Sequence, residues 1–184
     1  MKKVIFILGV LISLGMFSAC SSDDEVELES YADSSDDSVK FIPIEEGDGY
    51  AAIRDFFNKE LPFGENSKGF FVGSNKNVGE EACKIIRSKK EFEENYSGDK
   101  DIPVIDFQQY TIIIGQIIMP VIGYKCVKQE ILSTTKNKSA VLNLYVKNIY
   151  EYNPQAIKPL YFWGLYPCKH LSGIANIKIN IIKL

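Results

Sequence analysis

Tyr110-Thr111-Ile112-Ile113-Ile114-Gly115-Gln116-Ile117-Ile118-Met119 is the stretch whose reading decides the fold. Its apolar residues do not alternate with polar ones. A strand with one wet face shows period two, so this unbroken run of β-branched residues reads as a strand buried on both faces. It is the expected central strand.

Downstream, Pro120 and Gly123 mark a turn. Tyr124–Leu132 reads as the next strand, and its mixed periodicity predicts a bulge. Lys136-Asn137-Lys138 reads as a hairpin turn. Val141–Tyr150 follows as a strand with Leu142, Leu144 and Val146 on one face. Asn153, Pro154 and Pro159 mark a loop, and Leu160–Cys168 is aromatic and strand-like. After Gly173, Ile174–Leu184 puts Ala175, Ile177, Ile179 and Ile181 on one face and Asn176, Lys178 and Asn180 on the other. That pattern predicts a half-exposed antiparallel strand.

Upstream, Asp106 is placed to tie a turn through nearby backbone N–H groups. Ser88-Lys89-Lys90-Glu91 matches a capping box and opens a short helix, Lys89–Tyr96, with Phe92 and Tyr96 on one face. Ala82–Arg87 reads as a strand. Gly64–Gly79 reads as loop, with Phe70-Phe71-Val72 as a short strand inside it. Gly49–Glu60 reads as a helix, capped by Asp48 and ended by Pro62. Val39–Ile44 is an edge-strand candidate, because Pro43 argues against a central place. The resulting class is α+β: an antiparallel sheet, strongly bent or barrel-like, with two short helices to one side. Residues 41–184 form the single expected domain.

The N-terminus has a different character. Lys2 and Lys3 precede an apolar run to Phe17, then small Ser18 and Ala19 before Cys20. This is a signal peptide, residues 1–19, and the run is shorter than the ~20 residues of a spanning helix. Ser18-Ala19-Cys20 resembles the lipobox of bacterial lipoproteins. The resemblance implies cleavage between Ala19 and Cys20 and acylation of Cys20, palmitate included. Ser21-Ser22-Asp23-Asp24-Glu25 is similar to the serine-plus-acid signal that sends Bacteroidetes-type lipoproteins to the outer face of the outer membrane. A plain acidic spacer, with the protein on the periplasmic face, is the alternative. Residues 20–40 hold eight acids and one lysine, a formal −7. They read as a disordered tether.

Residues 41–184 hold 18 basic and 16 acidic residues, a formal +2. Nucleic-acid binding wants a concentrated basic face, and this balance gives no case for it. Cys83, Cys126 and Cys168 remain after Cys20. None sits in a Cys-x-x-Cys pair, and His170 is the only histidine, so no metal site and no cofactor is expected. One disulfide is open to three pairings, with Cys126–Cys168 preferred because both lie in strand-like segments; three free thiols are the alternative. His170 has Cys168 and Ser172 nearby, but no Gly-x-Ser-x-Gly elbow surrounds either. No catalytic residue is assigned, and the chain reads as a non-enzyme.

Tyr161, Trp163 and Tyr166 are the candidate ligand-binding residues, because aromatic rings stack on sugar faces. Phe162 points the opposite way from Tyr161 and Trp163, so at least one face should be core.

Ser88-x-x-Glu91-Phe92, then Ile105-Asp106-Phe107-x-x-Tyr110, then the apolar strand with Gly115 and the Gly123-Tyr124 turn, is similar to the C-terminal domain family of PrcB. That family belongs to a subunit of a bacterial surface protease complex. The resemblance spans residues 80–184 and implies a non-catalytic accessory or protein-binding role. It brings no active-site residues. The expectation is therefore a membrane-anchored envelope protein with a protein partner, glycan binding being the alternative.

Overall fold

The computed structural model describes residues 38–63, 65–70, 77–134, 138–150 and 156–184, all within one compact unit, Ser35–Leu184. The signal peptide, Cys20 and the tether lie outside the described residues, as do Phe71, Val72 and most of the expected 136–138 turn.

The elements run β1 (Ser38–Phe41), α1 (Tyr50–Glu60), β2 (Glu81–Ile86), α2 (Lys89–Asn95), β3 (Tyr110–Met119), β4 (Tyr124–Thr134), β5 (Ser139–Asn148), β6 (Lys158–Pro167), α3 (Cys168–Leu171) and β7 (Asn176–Lys183). The strands form two sheets, ordered β1-β4-β5-β7 and β2-β3-β6. They do not close into a barrel, which corrects that part of the expectation.

Three layers explain the apolar run. The β2-β3-β6 sheet lies between the helices and the other sheet. Ile113, Ile117 and Met119 face the four-stranded sheet, packing with Ile131, Leu142, Leu144 and Ile179. Ile112 and Ile114 face the other way, onto Phe56 and Phe57 of α1 and Phe92 of α2. Both faces of β3 are therefore dry, so neither carries a polar row.

Gly115 lies in the middle of β3, opposite Phe162 and Cys83. A Cβ there would overlap the Phe162 ring and come within 2.5 Å of the Ala82 carbonyl oxygen. Glycine is what lets the ring come this close to the strand.

Local chemistry accounts for most boundaries. The Ser88 hydroxyl accepts from Glu91 N at 3.1 Å, while Glu91 accepts from Arg87 N, one residue before the helix cap. Asp106 accepts from Gln108 N at 2.9 Å and from the Gln109 side chain at 2.8 Å. The bulge expected in β4 falls between Cys126 and Lys128. Two readings are corrected. Gly49, at φ +80°, stands at the start of α1, and no side chain caps it, so Asp48 does not. β7 pairs with β5 in parallel, not antiparallel. Its alternation still holds, with Ile177, Ile179 and Ile181 inward.

Candidate functional site

Along β6, parity sorts the aromatic residues onto two faces. Leu160, Phe162 and Tyr166 enter the core between the sheets, and Tyr161 and Trp163 face the helices. Tyr166 is fully buried and its hydroxyl donates to Gln129 Oε1 at 3.3 Å. Burial pushes its phenol well above the ordinary range. Tyr166 therefore cannot join Tyr161 and Trp163 in holding a ligand, because three residues along a strand reverse the face.

Trp163 is half-buried. Its indole stacks on Phe57 with ring centres 4.4 Å apart and planes 17° apart, and Tyr50 lies 6.2 Å away. One face of the indole is thus covered. The Tyr161 hydroxyl accepts from Ser67 N at 2.8 Å, and burial raises its pKa. Both rings hold α1 and the following loop against the sheet.

The same two residues also wall an open cleft of about 380 Å³ between the end of α1, β4 and β6. Asn58, Phe63, Lys125 and Gln129 are among the other residues that line it. The Gln129 side chain bridges the two sheets, since its Nε2 donates to the Trp163 carbonyl at 2.7 Å while its Oε1 takes the Tyr166 hydroxyl. Lys125 is exposed.

The cleft continues into an apolar end of the molecule. Phe63, Pro159 and Leu160 line both the cleft and a shallow depression beside Met119, Val121, Ile122 and Gly123. The Ile149 amide donates to the Gly123 carbonyl, and the Tyr150 ring lies against Gly123. Phe63, Ile149, Tyr150 and Ile157 are 43, 48, 40 and 60 % exposed. Ile149 and Tyr150 follow β5 beside Gly123, and Ile157 directly precedes Lys158 of the same depression. β1 enters at the other end of β4, where Ser38 pairs with Thr134. Eleven strand residues separate that entry from the apolar end, roughly 35 Å at about 3.3 Å each.

The cysteines differ from the preferred pairing. Cys83, Cys126 and Cys168 are all free. Cys126 lines the cleft beside Leu160 and Phe162, whereas Cys168 begins α3, six residues beyond Phe162. That separation is roughly 20 Å along β6, and a disulfide needs Cα atoms within about 7 Å. Burial pushes the Cys83 thiol up to about 12 and the Cys126 thiol up to about 11. Both are protonated at neutral pH and are poor nucleophiles. The Cys168 thiol donates to the Gln108 carbonyl at 2.9 Å. His170 stacks on Phe41 with centroids 4.8 Å apart and has no hydrogen bond to Cys168 or Ser172 among the described residues. It pins α3 to β1. Among the described residues no group of three or more His, Cys, Asp or Glu is placed to hold a metal ion.

Asn58, Phe63, Lys125 and Gln129 were not singled out from the sequence. They come from two separate segments, 58–63 and 125–129, and carry no shared motif. Comparison with family models, with curated proteins and with solved structures gave no match.

Proposed function

We propose that this chain is a lipid-anchored, non-enzymatic envelope protein that binds another protein through the apolar end around the Phe63 cleft. The observation that carries the reading is the exposure of Phe63, Ile149, Tyr150 and Ile157 in the segments that flank the Gly123 depression, at the far end of β4 from where the chain enters. The protonated thiols and the stacked His170 support a binding role over a catalytic one. The resemblance to the PrcB C-terminal domain family, carried by its short motifs, points the same way.

The test has two parts. An alkyne palmitate analogue should label the wild-type protein in cells and fail to label Cys20→Ala. Protease shaving of intact cells then assigns the outer surface, which this reading favours, or the periplasmic face. A partner co-purified from solubilised envelopes should be lost with the Phe63→Ser/Ile157→Ser pair, which removes apolar contact without touching the core. Retention of that partner would refute the surface assigned here.

A second reading is sugar binding in the same cleft, favoured by Tyr161, Trp163, Asn58 and Gln129, which all line it. Against it, Phe57 occupies one indole face and Gln129 is engaged twice. Titration of Trp163 fluorescence with oligosaccharides discriminates: saturable quenching supports it, and no response removes it.

A further inference from the structure

The even charge balance of residues 41–184 conceals a segregation. Residues 41–106 carry fourteen acids and nine bases, and residues 107–184 carry nine lysines and only two acids, Glu130 and Glu151. The fold turns this into a basic face. On β4, β5 and β7 the core takes Ile131, Leu142, Leu144, Val146 and Ile179, so the alternate residues point outward. Those alternate residues include Lys128, Glu130, Lys147 and Lys178. Lys125 stands directly across from Lys147, and Lys40 of β1 reaches the same face. All five lysines are exposed.

The one acid among them does not offset the face. The Glu130 side chain is 3 % exposed, beneath Lys40 at 2.8 Å and Lys128, and it accepts the Tyr145 hydroxyl at 2.7 Å. Lys147 and Lys178 form no ion pair among the described residues. Like charges placed across from one another, as in Lys125 and Lys147, cost stability. A face that keeps them is suited to an external anion.

We propose that the outer face of the β1-β4-β5-β7 sheet docks on an anionic lipid surface. Two observations select this occupant. The lysines spread over four adjacent strands, and Lys40, Lys128, Lys147 and Lys178 lie away from the Phe63 cleft that Lys125 borders. The chain also enters through β1, the edge strand of this same sheet, so a membrane attachment upstream would join the domain at this sheet. Docking is electrostatic: each lysine near an anionic surface contributes about 1 kcal/mol, and salt screens it. Contact through this face leaves the Phe63 end accessible.

The experiment uses the mature chain, residues 20–184 with Cys20→Ser, so that no acyl chain contributes and the result is independent of lipidation. Binding is measured by co-sedimentation with vesicles of equal parts phosphatidylglycerol and phosphatidylcholine, against phosphatidylcholine alone. The acidic vesicles should bind the chain, with affinity falling as salt rises, although its net charge is negative. Lys147→Glu/Lys178→Glu should weaken binding roughly 30-fold or more, from about 1 kcal/mol per lysine. Lys89→Glu/Lys90→Glu on α2, which alters net charge equally, should leave it near wild type. Equal binding to neutral vesicles, equal loss from both pairs, or no binding overturns the proposal. So does binding to poly-L-glutamate or duplex DNA without binding to vesicles, which would make the face one for acidic protein or nucleic acid.

Discussion

Gly115→Ala should destabilise this domain more than its single added methyl suggests. The new Cβ would overlap the Phe162 ring and sit 2.5 Å from the Ala82 carbonyl oxygen. Neither neighbour can yield easily. Phe162 is 2 % exposed and wedged between the sheets, and Ala82 is backbone in β2, paired to β3. Overpacking of this kind costs about 1–3 kcal/mol, and a clash with backbone as well places the value near 3. Urea unfolding followed by Trp163 fluorescence reads it. With a slope near 2 kcal/mol per molar, the midpoint should fall by about 1.5 M. Phe162→Leu should recover part of the loss in the double variant, because it frees the ring's space but leaves the Ala82 contact. A midpoint for Gly115→Ala equal to wild type, or no coupling with Phe162→Leu, would refute the account of how β3 is packed.

Three further outcomes follow from the polar and thiol groups. Lys128, Lys40 and Tyr145 hold Glu130 at about 2, below the ordinary carboxylate range. Its folded pKa is depressed, so its stabilisation is present above about pH 4.3 and is lost as pH falls toward 2. Glu130→Gln should therefore lose midpoint at pH 6 and behave like wild type near pH 2; a constant difference across that range would contradict this. Glu60 is 2 % exposed, its side chain meets the Tyr96 hydroxyl, and its Oε2 has no hydrogen-bond partner among the described residues. Replacing that unpartnered oxygen in Glu60→Gln, whose amide keeps an atom for the Tyr96 hydroxyl, should raise stability by about 1 kcal/mol, read as a higher urea midpoint, and a clear fall would show that the carboxyl group is needed. Cys83 and Cys126 should resist iodoacetamide at pH 8 until the protein unfolds, since a thiol at 11 is ionised about one part in a thousand there. Rapid native labelling of either, read by peptide mass, would show that burial does not suppress them.

Much of the fold was legible because single-strand parity is a local property. β3 has the boundaries its apolar run indicates, since both of its faces meet apolar layers. The capping box and the Asp106 turn were likewise readable, each needing only residues within four positions. Pairing was not. Alternation on β7 is the same whether its neighbour runs parallel or antiparallel, so the sequence left the choice to hairpin expectation, and β5 took it in parallel. Two sheets in place of one bent sheet escaped for the same reason: parity says which residues point inward, not which strand lies beside them. On β6, parity did suffice to separate Tyr166 from Tyr161 and Trp163. The chance grouping of aromatic residues in sequence obscured it. The cleft itself joins Asn58 and Phe63 to Lys125, Gln129 and Trp163, across about a hundred residues, so no window shows it. The basic face was hidden by averaging, because acids concentrated before residue 107 offset lysines gathered after it.

The central claim is that the Phe63 end meets a protein partner. The most direct measurement places a photo-crosslinking residue at Ile157, exposed next to Lys158 of the Gly123 depression, and in a second strain at Lys90, on the exposed side of α2, in the otherwise full-length protein in its own cells. Irradiation should give one discrete protein adduct from position 157 and none from position 90, and Phe63→Ser should diminish the first. No adduct from 157, or the same adducts from both positions, would contradict the account.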